Sequence, residues 1–68
     1  MFARPRDMEP GMEFRTFNNG PVLTWRGVES VSSRFPGRDR VRVLVDKRRG
    51  GVDFVCDATA SFQVVTWH

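Results

Sequence analysis

Sixty-eight residues make one domain with a small core. One cysteine, Cys56, excludes an intrachain disulfide, and with a single histidine it cannot build a structural zinc site. Eleven basic residues against eight acidic ones give a net charge of +3, and ten of the eleven are arginine, a bias that GC-rich coding also produces. A core this small barely offsets the entropy of ordering the chain. The remaining aids to stability are a closed barrel and oligomerisation. No apolar run reaches the length of a membrane span, and no signal peptide is visible. A free cysteine fits a reducing compartment, so cytoplasm is the expected location.

Residues 1–10 carry Pro5, Pro10 and mixed charge and read as an N-terminal arm, which Phe2 and Met8 can tack onto the body. A single small barrel is expected over residues 11–68. Pro10-Gly11 marks a turn before the first predicted strand, Gly11 to Phe17. There Met12, Phe14 and Thr16 face one way, and Glu13, Arg15 and Phe17 the other. Asn18-Asn19-Gly20-Pro21 is a strong turn signal. Val22 to Val31 reads as the second strand. Leu23 and Trp25 share a face, and Gly27 breaks the alternation as a bulge or bend does. A helix over Arg26–Arg34 is the rival reading, from the spacing of Val28 and Val31. Ser32 to Asp39, with Phe35-Pro36-Gly37, is a loop.

From Arg40 to Trp67 the pattern predicts a three-stranded antiparallel meander. Pairing Val45 with Val52, Val43 with Phe54 and Val41 with Cys56 makes one face wholly apolar. The other face then pairs Leu44 with Asp53, Arg42 with Val55 and Arg40 with Asp57, the last a plausible ion pair. The turn Lys47 to Gly50 suits this register, with glycine supplying any positive φ. Asp57 to Ser61 turns into the last strand, whose Phe62 and Val64 face the core. Leu44, Val55, Val65 and Trp67 are left on the outer side. An outer face this apolar needs a cover, either the N-terminal half of the chain or a second molecule.

This fold class is all-β: a five-stranded antiparallel barrel ending in the meander. The layout of long hairpin, loop, meander and last strand resembles the SH3-like barrel. Pro10-Gly11-Met12-Glu13-Phe14, Arg40-Val41-Arg42-Val43 and Phe54-Val55-Cys56-Asp57-Ala58-Thr59 are similar to stretches of short accessory proteins from actinobacterial phages. That resemblance implies a phage origin, and hence a host cytoplasm, without assigning a role.

No catalytic motif emerges. Cys56 is expected inward on a strand, where cysteine behaves as a small hydrophobe, and His68 is the last residue. The carboxylates are scattered, no phosphate-binding glycine loop is present, and no cofactor or metal is implied. Two non-enzymatic readings follow. The first is an oligomeric protein-interaction or adaptor module using Leu44, Val55, Val65 and Trp67, since tryptophan and exposed strand edges favour association. The second is a nucleic-acid module. It would grip phosphates with Arg40, Arg42, Lys47, Arg48 and Arg49, with Arg34 and Arg38 nearby, and stack bases on Trp25 or Trp67. A solvated basic turn and core tryptophans account for the same residues.

Overall fold

A computed structural model describes residues 1–32, 39–48 and 50–66. The loop expected between Ser32 and Asp39 lies, but for its ends, outside the described residues, as do Arg49, Trp67 and His68. Six strands form one sheet: β1 (Phe2–Ala3), β2 (Glu13–Arg15), β3 (Leu23–Val31), β4 (Arg40–Val45), β5 (Phe54–Asp57) and β6 (Phe62–Thr66). A 3₁₀ turn covers Pro5–Asp7. The spatial order is β1-β6-β2-β3-β4-β5, and every neighbouring pair is antiparallel. The two ends of that order do not pair, so the sheet is open.

The helical alternative for Arg26–Arg34 fails over its described part. There β3 pairs with β4, with Val28 opposite Val43 and Val31 opposite Arg40. Beside Gly27 the ladder slips: Trp25 faces Val45, yet Gly27 faces Leu44, leaving Arg26 as the extra residue of a bulge. The bulge lets Trp25 point fully inward while the far end of β3 continues along β4. One long bent strand therefore belongs to two ladders. The turn after β2 is the expected one. Asn19 takes φ 61°, and Gly20 N–H donates to the Phe17 carbonyl at 3.1 Å. β2 stops at Arg15, short of the predicted end, and Phe17 lies exposed with its ring over Gly20.

The first two strands of the expected meander pair in the predicted register, Arg40 with Asp57 through Val43 with Phe54. The register does not extend to Val45 and Val52. Residues 51–53 lie outside the strand, and Val52 is 73% exposed. Asp53 takes over the ladder's role: its carboxylate accepts the Val45 N–H at 3.1 Å. Gly51 lies so close to the hairpin that an added Cβ would stand 2.9 Å from the Asp46 carbonyl oxygen. Gly50, at φ 82°, supplies the positive φ.

The third strand overturns the meander. β6 does not return along β5; it inserts between β1 and β2. The chain leaving β5 turns at Asp57–Ala60, and Ala58 N–H donates to the Asp39 carbonyl at 2.8 Å. That bond carries the chain across the start of β4 and away from β5's open side. Phe62 then reaches the core, its ring centroid 5.4 Å from Phe14, 5.8 Å from Phe54 and 6.3 Å from Trp25. Phe14, Trp25 and Phe62 are buried, with Met8, Met12, Val43 and Val45 around them and Val64 packed alongside. Burying this aromatic group is the main force joining the two ladders.

Residues 2–8 cover the edge of β6 that faces away from β2. β1 pairs with β6, and the Met1 carbonyl accepts Val64 N–H at 2.8 Å. Pro5 and Met8 are buried. Beyond them Arg6 forks onto both carboxylate oxygens of Asp39, just ahead of β4, with the longer contact at 3.2 Å.

Candidate interaction surfaces

The basic set predicted for nucleic acid is matched by carboxylates. Arg40 lies 3.9 Å from Asp57, Arg42 3.9 Å from Glu29, Lys47 3.0 Å from Asp53 and Arg48 3.6 Å from Asp46. Arg49 lies outside the described residues. The alternation of strand β4 explains the pattern: Arg40 and Arg42 share an outer face with Glu29 on β3 and Asp57 on β5. Asp46 also accepts the Arg48 N–H at 2.9 Å, an Asx-type closure of the hairpin turn. The Val45 N–H, followed by the Lys47 ammonium, holds the Asp53 carboxyl below the ordinary range. Trp25 is buried and cannot stack on a base in this fold.

The apolar set is divided. Leu44 and Val55 lie on the outer face of β4 and β5, diagonal to one another. Val55 is 41% exposed, and half-buried Leu44 sits over Gly27. Val65 is 43% exposed on β6, at a second bulge, where Glu13 faces Thr66 and Phe14 faces Val64. In sheet order β2, β3 and β4 lie between β6 and β5, so Val65 does not adjoin Val55 through the sheet. Trp67 lies outside the described residues.

Both ends of the sheet present backbone as well as side chains. On β4, Val45 N–H points toward β5 and Asp46 N–H donates to the Thr24 carbonyl on the β3 side. Alternation therefore turns the backbone groups of Val41 and Val43 toward Cys56 and Phe54. Among the described residues no strand pairs with the far side of β5, toward which the N–H and C=O of Val55 and the N–H of Asp57 point. On β1, Met1 and Ala3 turn their backbone groups to β6, which leaves those of Phe2 on the opposite open edge. The Phe2 side chain is 68% exposed, on the face it shares with Gln63 and, diagonally, Val65. Sequence reading placed Phe2 in an arm. The alternation Phe2, Ala3, Arg4 is too short to announce a strand by itself.

Other chemistry is sparse. A cleft of about 390 Å³ beside the β4–β5 turn is lined by Glu13, Thr24, Asp46, Arg48 and Gly51 among others, with Asp46 and Arg48 already engaged with one another. Burial, then the nearby Asp57, pushes the Cys56 thiol pKa up, away from the thiolate form a nucleophile uses. Among the described residues no group of three His, Cys, Asp or Glu side chains is placed to hold a metal, and no helix is long and apolar enough to cross a membrane. Comparison with protein-family models, curated proteins and solved structures finds no match to this chain.

Proposed function

We propose that this chain is a small SH3-like barrel, without catalytic chemistry, that works by associating with copies of itself as a protein-interaction module. The observation that carries the reading is the pair of open sheet edges with exposed apolar side chains on them, Val55 at one end and Phe2 beside Val65 at the other. Open edges with valine and phenylalanine at their centres are pairing sites unless something covers them. The strand order supports the SH3-like layout, in an open rather than a closed sheet. β2 is flanked by the last strand, and the bent β3 serves both ladders, as the SH3-like layout implies. Carboxylate pairing of Arg40, Arg42, Lys47 and Arg48 favours protein over nucleic acid as the partner.

Light scattering after size exclusion tests this directly. The expected mass is a multiple of the 7.8 kDa chain mass, rising with concentration if the contacts are weak. A strict monomer at high concentration contradicts the reading. Salt-sensitive binding of single- or double-stranded nucleic acid would replace it with the phosphate-gripping alternative.

A further inference from the structure

We infer that the outer face of the β1–β6–β2 ladder docks an acidic, apolar segment of a partner protein. This shares with the reading above only the premise that the chain works through protein contacts. It concerns a side-chain face rather than the open backbone edges, and it is tested apart from self-association.

The two outer faces of the sheet differ in how their cations are met. On β3–β4–β5, Arg40 and Arg42 each lie 3.9 Å from a carboxylate, Asp57 and Glu29. The β1–β6–β2 face carries Arg4 and Arg15, and among the described residues no carboxylate pairs with either. Register sets Arg15 opposite Gln63, and Gln63 opposite Phe2. Ala3 packs toward the core, so alternation returns Arg4, in extended backbone, to the side of Phe2. Glu13 shares β2 with Arg15 but lines the cleft beside Thr24, without an ion pair to Arg15.

Arg15 is held in place. The residue is half-buried, and its Nε is enclosed without a hydrogen-bond partner. Arg40 also has an enclosed, unbonded Nε, but there Asp57 stands 3.9 Å away. Arg15 has no such anion. A guanidinium laid against a sheet has lost rotamer freedom before a ligand arrives, and its planar donors match a carboxylate. Two apolar side chains flank Gln63 on the same face, Phe2 at 68% and Val65 at 43% exposure. A ligand that covers them gains burial, and one that also brings carboxylates meets Arg15 and Arg4. Nucleic acid fits less well. Successive bases stack on successive rings along a cationic groove, whereas the paired strands of this face offer the single exposed ring of Phe2, with Glu13 at the border.

A blocked synthetic peptide repeating Glu-Ser-Leu-Ser is the probe, because its extended form sets glutamate and leucine on one side. The control has lysine in place of glutamate. In amide spectra of the full chain, the acidic peptide should shift Phe2, Arg15, Gln63 and Val65 saturably and leave Arg42 and Val55 unmoved. Arg15→Gln should weaken binding about tenfold, the loss of one charge-assisted hydrogen bond. Arg42 already has Glu29 in its own chain, so Arg42→Gln should change binding less than about twofold. Native tryptophan fluorescence checks each variant, and Arg4→Gln, at an exposed position, is a second variant expected to weaken binding. No saturable shift, equal binding of the lysine peptide, or equal losses from Arg15→Gln and Arg42→Gln would overturn the proposal. Tighter binding of oligothymidylate at the same amides would overturn it in favour of nucleic acid. A fall to monomer mass in folded Arg15→Gln without peptide would overturn it in favour of a second copy on this face. A monomer that still binds the acidic peptide removes self-association and leaves the docking face; oligomers indifferent to the peptide do the reverse.

Discussion

The hairpin of β4 and β5 closes over a short stretch of chain, whereas Phe2 meets Gln63 from the far end of the sequence. The two ladders differ accordingly in what holds them. The β4–β5 ladder is fixed locally by alternation, by the Lys47–Gly50 turn and by Asp46 and Asp53, whose carboxylates replace missing backbone partners. The β1–β6–β2 ladder has no turn joining its strands. It is placed by Phe14 and Phe62, whose rings must share one interior with Trp25. Local chemistry sets the first ladder; burial of a few aromatic side chains sets the second.

Three changes probe that contrast. Phe14 is fully buried and touches both ladders through Trp25, Phe54 and Phe62. Phe14→Ala should cost about 3–5 kcal/mol, comparable to the whole stability expected of so small a domain. Denaturant titration should show both ladders lost together; retention of a folded β1–β6–β2 ladder would break the comparison. Gly51→Ala puts a Cβ against the Asp46 carbonyl and should cost about 1–3 kcal/mol. Its effect should concentrate in the hairpin. Amide exchange should quicken in β5 while β6 keeps its protection.

The smallest effect is in the acid limb of stability. Asp53 is held below the ordinary carboxylate range by Val45 N–H and Lys47, and Asp39 by the Arg6 guanidinium. Lowered folded pKa values mean that the unfolded chain binds these protons first. The stabilisation is complete above the ordinary value of about 4 and is lost as pH falls through the lower folded values. Asp53→Asn should flatten that decline in a pH series of melting curves, and an unaltered slope would remove Asp53 from the account.

The contrast also explains what could be read from residues alone. The four register pairs from Arg40–Asp57 to Val43–Phe54, the bulge beside Gly27 and the Asn19–Gly20 turn were legible because each depends on neighbours in sequence. β6 was misplaced because its alternation fits any neighbour with an apolar face. What sends it to β2 is the bond from Ala58 to Asp39 and the position of Phe62, neither of which leaves a local signature. Val52 was assigned to the core because alternation runs on through it; Asp53, by capping Val45, ends the ladder first. Leu44, Val55 and Val65 were correctly read as pointing outward, yet their grouping on adjoining strands followed from the misplaced β6. Phe2 was read as tacking an arm onto the body rather than as part of a strand, because two residues of strand are too few to show a period.

Both open edges depend on β6 lying between β1 and β2. Cross-strand Hα and amide contacts in a nuclear Overhauser spectrum of the dilute protein measure this most directly. Contacts should link Phe14 with Val64, Arg15 with Gln63, and Ala3 with Phe62. Backbone contacts running instead from residues 62–66 along Phe54–Asp57 would restore the meander, cover the β5 edge and contradict the account.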